Sequence, residues 1–236
     1  MRDMIAFVMR DEKTEVRFLL VDTCGGRGMV ALAEGDAVVA EAAMPGRTYS
    51  ERLVAEGMRL LRERGWRLAE LGAIVVVTGP GSFTGVRVGL SAVKGWSEAG
   101  GVPVIGLSRL ALLARLAAAD GKAVHAVLDA GRSEFYHGEY RGGRCLWEVL
   151  QTREKMLRLD GRVVVCEEAV AEALPARSPM LVAPPGAIEI LRLGRERFAA
   201  GEFADEVTLD ANYVRRTDAE IFARPVAKRV TGDAAP

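Results

Sequence analysis

The stretch IVVVTGPGSFTGVRVGLSAVKG, residues 74–95, decides how this chain folds. It opens with a continuous β-branched run, which is typical of a strand buried on both faces of a sheet. The run stops at a glycine-rich turn, and from Val86 onward apolar residues continue at helical spacing to Ala99. A buried strand, a glycine turn and a helix in this order predict one unit of a parallel α/β sheet.

Strand patterns continue on both sides of this unit. Three short apolar runs precede it, separated by glycine turns, and predict an antiparallel meander over residues 18–22, 29–33 and 37–43. A helix is predicted over 50–64, a strand over 103–107 and a helix from Ser108 to Ala119. The meander pattern then repeats over residues 123–128, 134–140 and 146–150. The repeat predicts an α/β fold of two related lobes, each a mixed sheet flanked by helices.

Charge and apolar content exclude several classes of protein. The 32 basic and 32 acidic residues cancel, so no overall field attracts nucleic acid or an anionic membrane. No apolar stretch approaches the roughly 20 residues of a membrane-spanning helix, and the apolar run near Met4 lacks a signal-peptide cleavage pattern. We therefore expect a cytoplasmic protein with no membrane partner.

The sequence contains few of the residue patterns that metal binding or nucleophilic catalysis requires. The three cysteines are scattered without a CxxC pair, and the two histidines, His125 and His137, form no HExxH arrangement. No GxSxG nucleophile elbow occurs. The sequence predicts no metal site and no catalytic residue.

The glycine-rich junction is the first candidate binding site. A strand-to-helix turn presents free backbone N–H groups and the positive end of the helix dipole, which together hold an anion. The candidate anion-binding residues are Gly79, Gly81, Ser82, Thr84, Gly85 and Arg87. The spacing fits neither the Walker nor the dinucleotide pattern, and a tight turn in which Gly85 and Gly89 allow close helix packing is an equal alternative. A cation at Arg87 opposes the helix dipole by about 0.3–1 kcal/mol, so we expect a nearby carboxylate or bound anion to offset it.

Two helices are unusually apolar for surface helices. The helix over 86–99 has few charged positions, and the helix over 50–64 carries an apolar stripe with further apolar residues beside it. Such faces are either core or a partner surface. The candidate interface residues are Leu53, Val54, Met58, Leu61, Val86, Leu90, Val93 and Trp96.

A carboxylate follows the first strand of each predicted lobe. Asp22 precedes the turn glycines of the first lobe, and Asp129 occupies the equivalent place in the second. In a phosphotransferase such an aspartate holds magnesium or orients water. An ATPase or small-molecule kinase using Asp22 and the glycine turns is therefore the alternative function, and a hairpin turn is the structural alternative.

Four segments together resemble the bacterial TsaB (YeaZ) family. They are GPGSFTGVRVGLSAVKG at 79–95, LLVDT at 19–23, LDAGRSEFYHGEY at 128–140 and YVRR at 213–216. The resemblance implies the fold of actin, Hsp70 and sugar kinases (ASKHA), with two ribonuclease-H-like lobes. It also implies a role in installing N6-threonylcarbamoyl on adenosine 37 of tRNA.

The resemblance further implies partners for the chain. In the family, TsaB is a noncatalytic scaffold: TsaD carries the metal-binding histidines and the transfer chemistry, and the ATPase TsaE joins the complex. TsaB pairs through its two helices beside the first sheet, as a homodimer alone or as a heterodimer with TsaD. We expect no cofactor of its own, ATP or ADP only at an interface of the complex, and tRNA contact only through the complex.

Two features depart from the family pattern. Family members often show His at the start of the first long helix, where this chain has Tyr49. Residues 1–17 form an extension before the first strand, and its function is not indicated by the sequence. We expect a first lobe over 18–108 and a second lobe over 109–223, whose end can pack back on the first lobe, followed by a tail over 224–236.

Overall fold

The computed structural model describes residues 15–45, 48–117, 121–205, 209–212 and 214, and within them ten strands form two five-stranded sheets. The extension before residue 15 and the predicted tail lie outside the described residues. In the first sheet the order is β3-β2-β1-β4-β5. Its strands are β1 Arg17–Asp22, β2 Arg27–Glu34, β3 Ala37–Pro45, β4 Ala73–Gly79 and β5 Val104–Ser108. The first three are antiparallel, and β4 and β5 run parallel to β1.

The second sheet repeats this topology. Its strands are β6 Val124–Gly131, β7 Glu134–Arg141, β8 Arg144–Thr152, β9 Arg162–Val165 and β10 Met180–Leu181. The order β8-β7-β6-β9-β10 matches that of the first sheet strand for strand, with an antiparallel meander followed by two parallel strands. The predicted pair of related mixed sheets is confirmed.

Helices cover both faces of the first sheet. On one face, α1 (Tyr49–Glu63) and α2 (Phe83–Gly100) pack together, with Gly57 of α1 lying over Val30 of β2. On the other face lies α6 (Ala187–Ala199), whose Gly194 contacts Val75 of β4. Every residue of β4 is buried, as the β-branched run predicts for a strand covered on both sides.

The second sheet is covered by shorter helices. One of its faces packs on α3 (Arg109–Arg115), and the other packs near α4 (Arg153–Met156) and α5 (Glu168–Ala173). The α3 helix ends earlier than the predicted Ala119, and residues 118–120 lie outside the description. None of the helices in the described ranges is both long and apolar enough to cross a bilayer.

Candidate functional site

The glycine-rich loop is clamped between β4 and the start of α2. Its helix begins at Phe83, three residues before the predicted Val86, because the Ser82 side chain caps it by accepting a hydrogen bond from the Gly85 N–H at 3.2 Å. The Ser82 N–H donates to the carbonyl of Cys24 at 2.8 Å. The loop therefore rests on the turn that joins β1 to β2.

Close contact with that turn explains the glycine spacing. A Cβ at Gly81 would lie 2.3 Å from the Cys24 carbonyl oxygen, and one at Gly85 would lie 2.1 Å from that of Thr23. A Cβ at Gly89 would meet Thr23 Oγ1 at 2.4 Å. The Thr23 hydroxyl also donates to the Gly85 carbonyl at 2.7 Å. The close-packing alternative thus accounts for these glycines, and anion binding by the loop remains a prediction.

Arg87 has an aromatic neighbour in the first turn of α2. Its guanidinium carbon lies 3.6 Å from the centre of the Phe83 ring, which is a cation–π contact. Both side chains, and that of Thr84 beside them, are exposed. The π face is one electronegative partner of Arg87, and the expected carboxylate or bound anion stays a prediction.

Asp22 is the last residue of β1, beside the turn that leads to β2. Its carboxylate accepts a hydrogen bond from the Cys24 N–H at 2.8 Å, and poor solvation raises its pKa, although that hydrogen bond and nearby Arg109 lower it in part. Tyr49, in place of the family's frequent histidine, is buried and donates its hydroxyl to the Gly25 carbonyl at 2.7 Å. Tyr49 therefore supports the turn that carries Asp22.

An ion pair that the sequence does not point to lies within the second lobe, close to the turn that carries Asp22. Arg109 Nη2 lies 3.4 Å from Glu167 Oε1, and the other carboxylate oxygen of Glu167 accepts from the Asp129 N–H at 2.8 Å. Arg109 also lies against the Gly25 turn. Arg109 thus lies between the Gly25 turn of the first lobe and Glu167, which binds the Asp129 N–H of the second. The available signal is an acidic residue close to the end of a strand, since Glu167 lies two residues after β9.

Most of the predicted interface residues lie in the chain's own core. Exposure is 5% or less for these six: Leu53, Leu61, Val86, Leu90, Val93 and Trp96. These side chains fill the space between the helices and the first sheet, so they are not on the free surface of the chain, and contact of these residues with a partner stays a prediction. Periodicity marks an apolar helix face, but it does not say what covers that face.

A shallow groove between α1 and α2 remains open. We call it the α1–α2 groove; its volume is about 550 Å³, and Val54 and Phe83 on its rim are 51% and 56% exposed. Further along α2, Ser91 is exposed and Gly95 has no atom within 4 Å of its Cβ position. Of the predicted interface set, Val54 is exposed and Met58 half-buried. The accessible surface is thus apolar at one end and lined by small residues at the other.

The two histidines pair with each other inside the second sheet. His125 Nδ1 lies 2.9 Å from His137 Nε2, and His125 Nε2 lies 2.6 Å from the Asp160 carbonyl oxygen. Burial, followed by the nearby His125, lowers the pKa of His137 to about 3. Among the described residues no group of three or more His, Cys, Asp or Glu side chains is arranged to hold a metal.

Comparison with known proteins identifies relatives of the chain. The family model for TsaD, tRNA N6-adenosine threonylcarbamoyltransferase, matches residues 38–197. The chain is 31% identical over 161 residues to the tRNA threonylcarbamoyladenosine biosynthesis protein TsaB of Escherichia coli K12, covering 63% of this chain and 70% of that protein.

A solved structure and a longer enzyme are also similar. YeaZ from Pseudomonas aeruginosa superposes with a TM-score of 0.71 at 28% identity, covering 84% of this chain and all of that one. The tRNA N6-adenosine threonylcarbamoyltransferase of Cereibacter sphaeroides is 31% identical over 186 residues. That match covers 78% of this chain but 47% of the enzyme, so the likeness spans about half of the enzyme's length.

Proposed function

The chain belongs to the TsaB (YeaZ) family, and from this membership we propose that it acts in the biosynthesis of tRNA threonylcarbamoyladenosine. In this proposal it is a noncatalytic scaffold that pairs with a TsaD subunit, which performs the transfer. The observation that carries the proposal is the similarity to TsaB over most of both chains.

The α1–α2 groove is the surface that we assign to this pairing. Exposed apolar side chains such as Val54 and Phe83 favour contact with a partner. Small residues along the outer face of α2, at Ser91 and Gly95, allow a second helix to approach closely. A transferase with a matching lobe has equivalent helices to offer, and a second copy of this chain offers the same pair when TsaD is absent.

Nucleotide and further subunits belong to the assembled complex in this proposal. TsaE joins the pair, ATP or ADP binds at an interface between subunits, and tRNA is bound by the complex. The region around Asp22 and Arg109 is not assigned a reaction. An ATPase or kinase built on Asp22 stays the competing function, because Asp22 and Asp129 occupy equivalent strand ends in the two sheets.

Charge placed in the α1–α2 groove tests the pairing. Val54→Arg and Ser91→Arg alter residues that are exposed in the free chain, so the fold should be retained. Because each variant buries an unpaired cation on association, we expect affinity for the cognate TsaD to fall about 100-fold or more. The measurement is sizing and titration of the chain alone and mixed with TsaD.

A matched control is Ile188→Arg, which adds the same charge at an exposed apolar position on α6, across the first sheet from the groove. It should pair normally. Undiminished pairing of both groove variants would overturn the assignment. Hydrolysis of ATP by the isolated chain, lost in Asp22→Asn, would instead favour the competing function.

A further inference from the structure

A pocket of about 810 Å³ at one end of the second sheet collects basic side chains. The starts of β6, β9 and β10 and the end of β7 meet at this end of the sheet. The residues there include four cations, Lys122, Arg141, Arg162 and Arg177. We propose that this basic pocket binds phosphate groups of the tRNA backbone when the complex takes up its substrate. The tRNA identity of the ligand rests on the proposed function.

The charge balance of the pocket is the first support. Asp160 is the one acidic residue in its lining, although the whole chain has equal numbers of acids and bases. In the part of the chain that the structure describes, no ion pair joins Arg141 or Arg177 to a carboxylate. Like charges held together raise each other's energy, so an anion in the pocket would be stabilised.

The geometry of Arg177 is the second support. One terminal nitrogen donates to the Gly161 carbonyl at 3.1 Å, while its Nε is buried without a hydrogen-bond partner. The contact with Gly161 fixes the plane of the guanidinium at the pocket wall, and the planar N–H groups of an arginine match the oxygens of a phosphate.

The wall of the pocket is built firmly. A Cβ at Gly161, whose φ is +115°, would lie 2.7 Å from the Ala123 carbonyl oxygen, so the loops before β6 and β9 are in close contact. The buried His125 ring holds the Asp160 carbonyl from beneath. The cations therefore stand on a preformed rim, which reduces the entropy lost on binding.

The width of the pocket favours a polyanion over a free ion. Four cations distributed around some 810 Å³ exceed what a single phosphate group contacts at once. Successive phosphates of an RNA backbone supply several negative charges at fixed spacing. Such contacts position the RNA and do not read its sequence.

Neutralising two exposed cations tests the proposal. Lys122→Gln with Arg141→Gln removes two positive charges from exposed side chains of the pocket. The matched control, Arg192→Gln with Arg195→Gln, removes two from exposed positions on α6. Binding of a cognate tRNA transcript is measured at several salt concentrations, for the chain alone and for its complex with TsaD. We expect the slope of log affinity against log salt to fall by about 2, or about 1 for each lost phosphate contact.

Each outcome bears on a different part of the proposal. The proposal is supported if the salt slope falls in the pocket double variant but not in the control double variant, while pairing with TsaD is unchanged in both. An unchanged slope, or equal loss in both double variants, overturns it. A thermal shift with inorganic phosphate that the pocket variant loses, without any change in tRNA binding, would assign the pocket to a free anion and reject tRNA. Failure of the wild-type chain to pair with TsaD would contradict the proposed function, while titration of the chain alone would still decide the ligand of the pocket.

Discussion

The histidine pair of the second sheet is held by a directional chain of hydrogen bonds. The Asp160 carbonyl can only accept, so His125 donates from Nε2 and, as a neutral ring, accepts at Nδ1 from His137 Nε2. His137 Nδ1 is then a buried acceptor without a partner. The edge-on Trp147 ring, 4.6 Å away between centroids, covers the same imidazole. Protonation of His137 would place a charge in this dry site.

The pKa of His137 predicts how stability depends on pH. The unfolded chain binds a proton at this residue below about pH 6.5, whereas the folded chain does so near pH 3. Its contribution is therefore complete above pH 6.5 and is lost as pH falls, at about 1.4 kcal/mol per pH unit. Urea unfolding between pH 7.5 and 4 should show a shallower pH slope for His137→Gln than for the wild type. Equal slopes would contradict this account.

Contacts between single residues are the features that the sequence predicted least well. Arg109 and Glu167 are distant in sequence, and although an acid near a strand end is a local signal for Glu167, no local motif shows that the two residues pair. Asp22 was found because an acid after a buried strand is a local signal. The pairing of the two histidines was missed, since strand register had to bring them together.

At the scale of elements, α2 contains two kinds of glycine, one packed and one open. Gly85 faces the Thr23 backbone, and Gly95 faces open space. Sequence spacing alone left close packing and anion binding open as roles for the loop glycines, because it does not show what lies opposite each Cα. The strand, turn and helix themselves were predicted correctly, since their hydrophobic periods and breaks are local.

Alanine at these two glycines should have opposite effects. Gly85→Ala puts a methyl group against a carbonyl that cannot move aside, and we expect the free energy of unfolding to fall by about 1–3 kcal/mol. Gly95→Ala meets no atom and gains helix propensity, so it should raise that free energy by about 0.5–1 kcal/mol. Urea unfolding of the isolated chain measures both. Equal changes at the two sites would refute the packing explanation.

At the scale of the whole molecule, Glu148 of β8 joins the two lobes. Its carboxylate accepts from Ser108 Oγ and Asn212 Nδ2, each at 2.5 Å, and from the Tyr140 hydroxyl. Ser108 ends β5 of the first sheet, and the Asn212 N–H donates to the Thr78 carbonyl of β4. Burial, with the neighbouring carboxylate adding to it, raises the pKa of Tyr140. One anion thus holds three donors from both sheets and the chain's last described segment.

Removal of this carboxylate should destabilise the protein as a whole. Glu148→Ala leaves three donors without their acceptor, and we expect the free energy of unfolding to fall by about 2 kcal/mol or more. The control Glu154→Ala removes an exposed acid on α4 and should change it by about 0.5 kcal/mol or less. Chemical unfolding of the two variants provides the measurement. Similar values for both would mean that Glu148 does not join the lobes.

The sequence predicted the duplicated topology because the meander pattern repeats along the chain. The sequence did not predict the position of α6, since the prolines before it break the pattern and the nearest strand of its partner sheet, β5, ends at Ser108, far earlier in the chain. The same limit explains the interface prediction: amphipathic periodicity selected the faces of α1 and α2 that meet the first sheet. The outward face of the two helices has smaller and fewer apolar residues, so its periodicity is weaker.

The close seating of the α2 glycines on Thr23 has a consequence for the pairing that we propose. A helix in such contact can neither slide nor roll without moving the turn after β1, so the surface that it forms with α1 already has its shape in the free chain. Under that proposal, docking requires little reorganisation, and a contact of modest area can be tight.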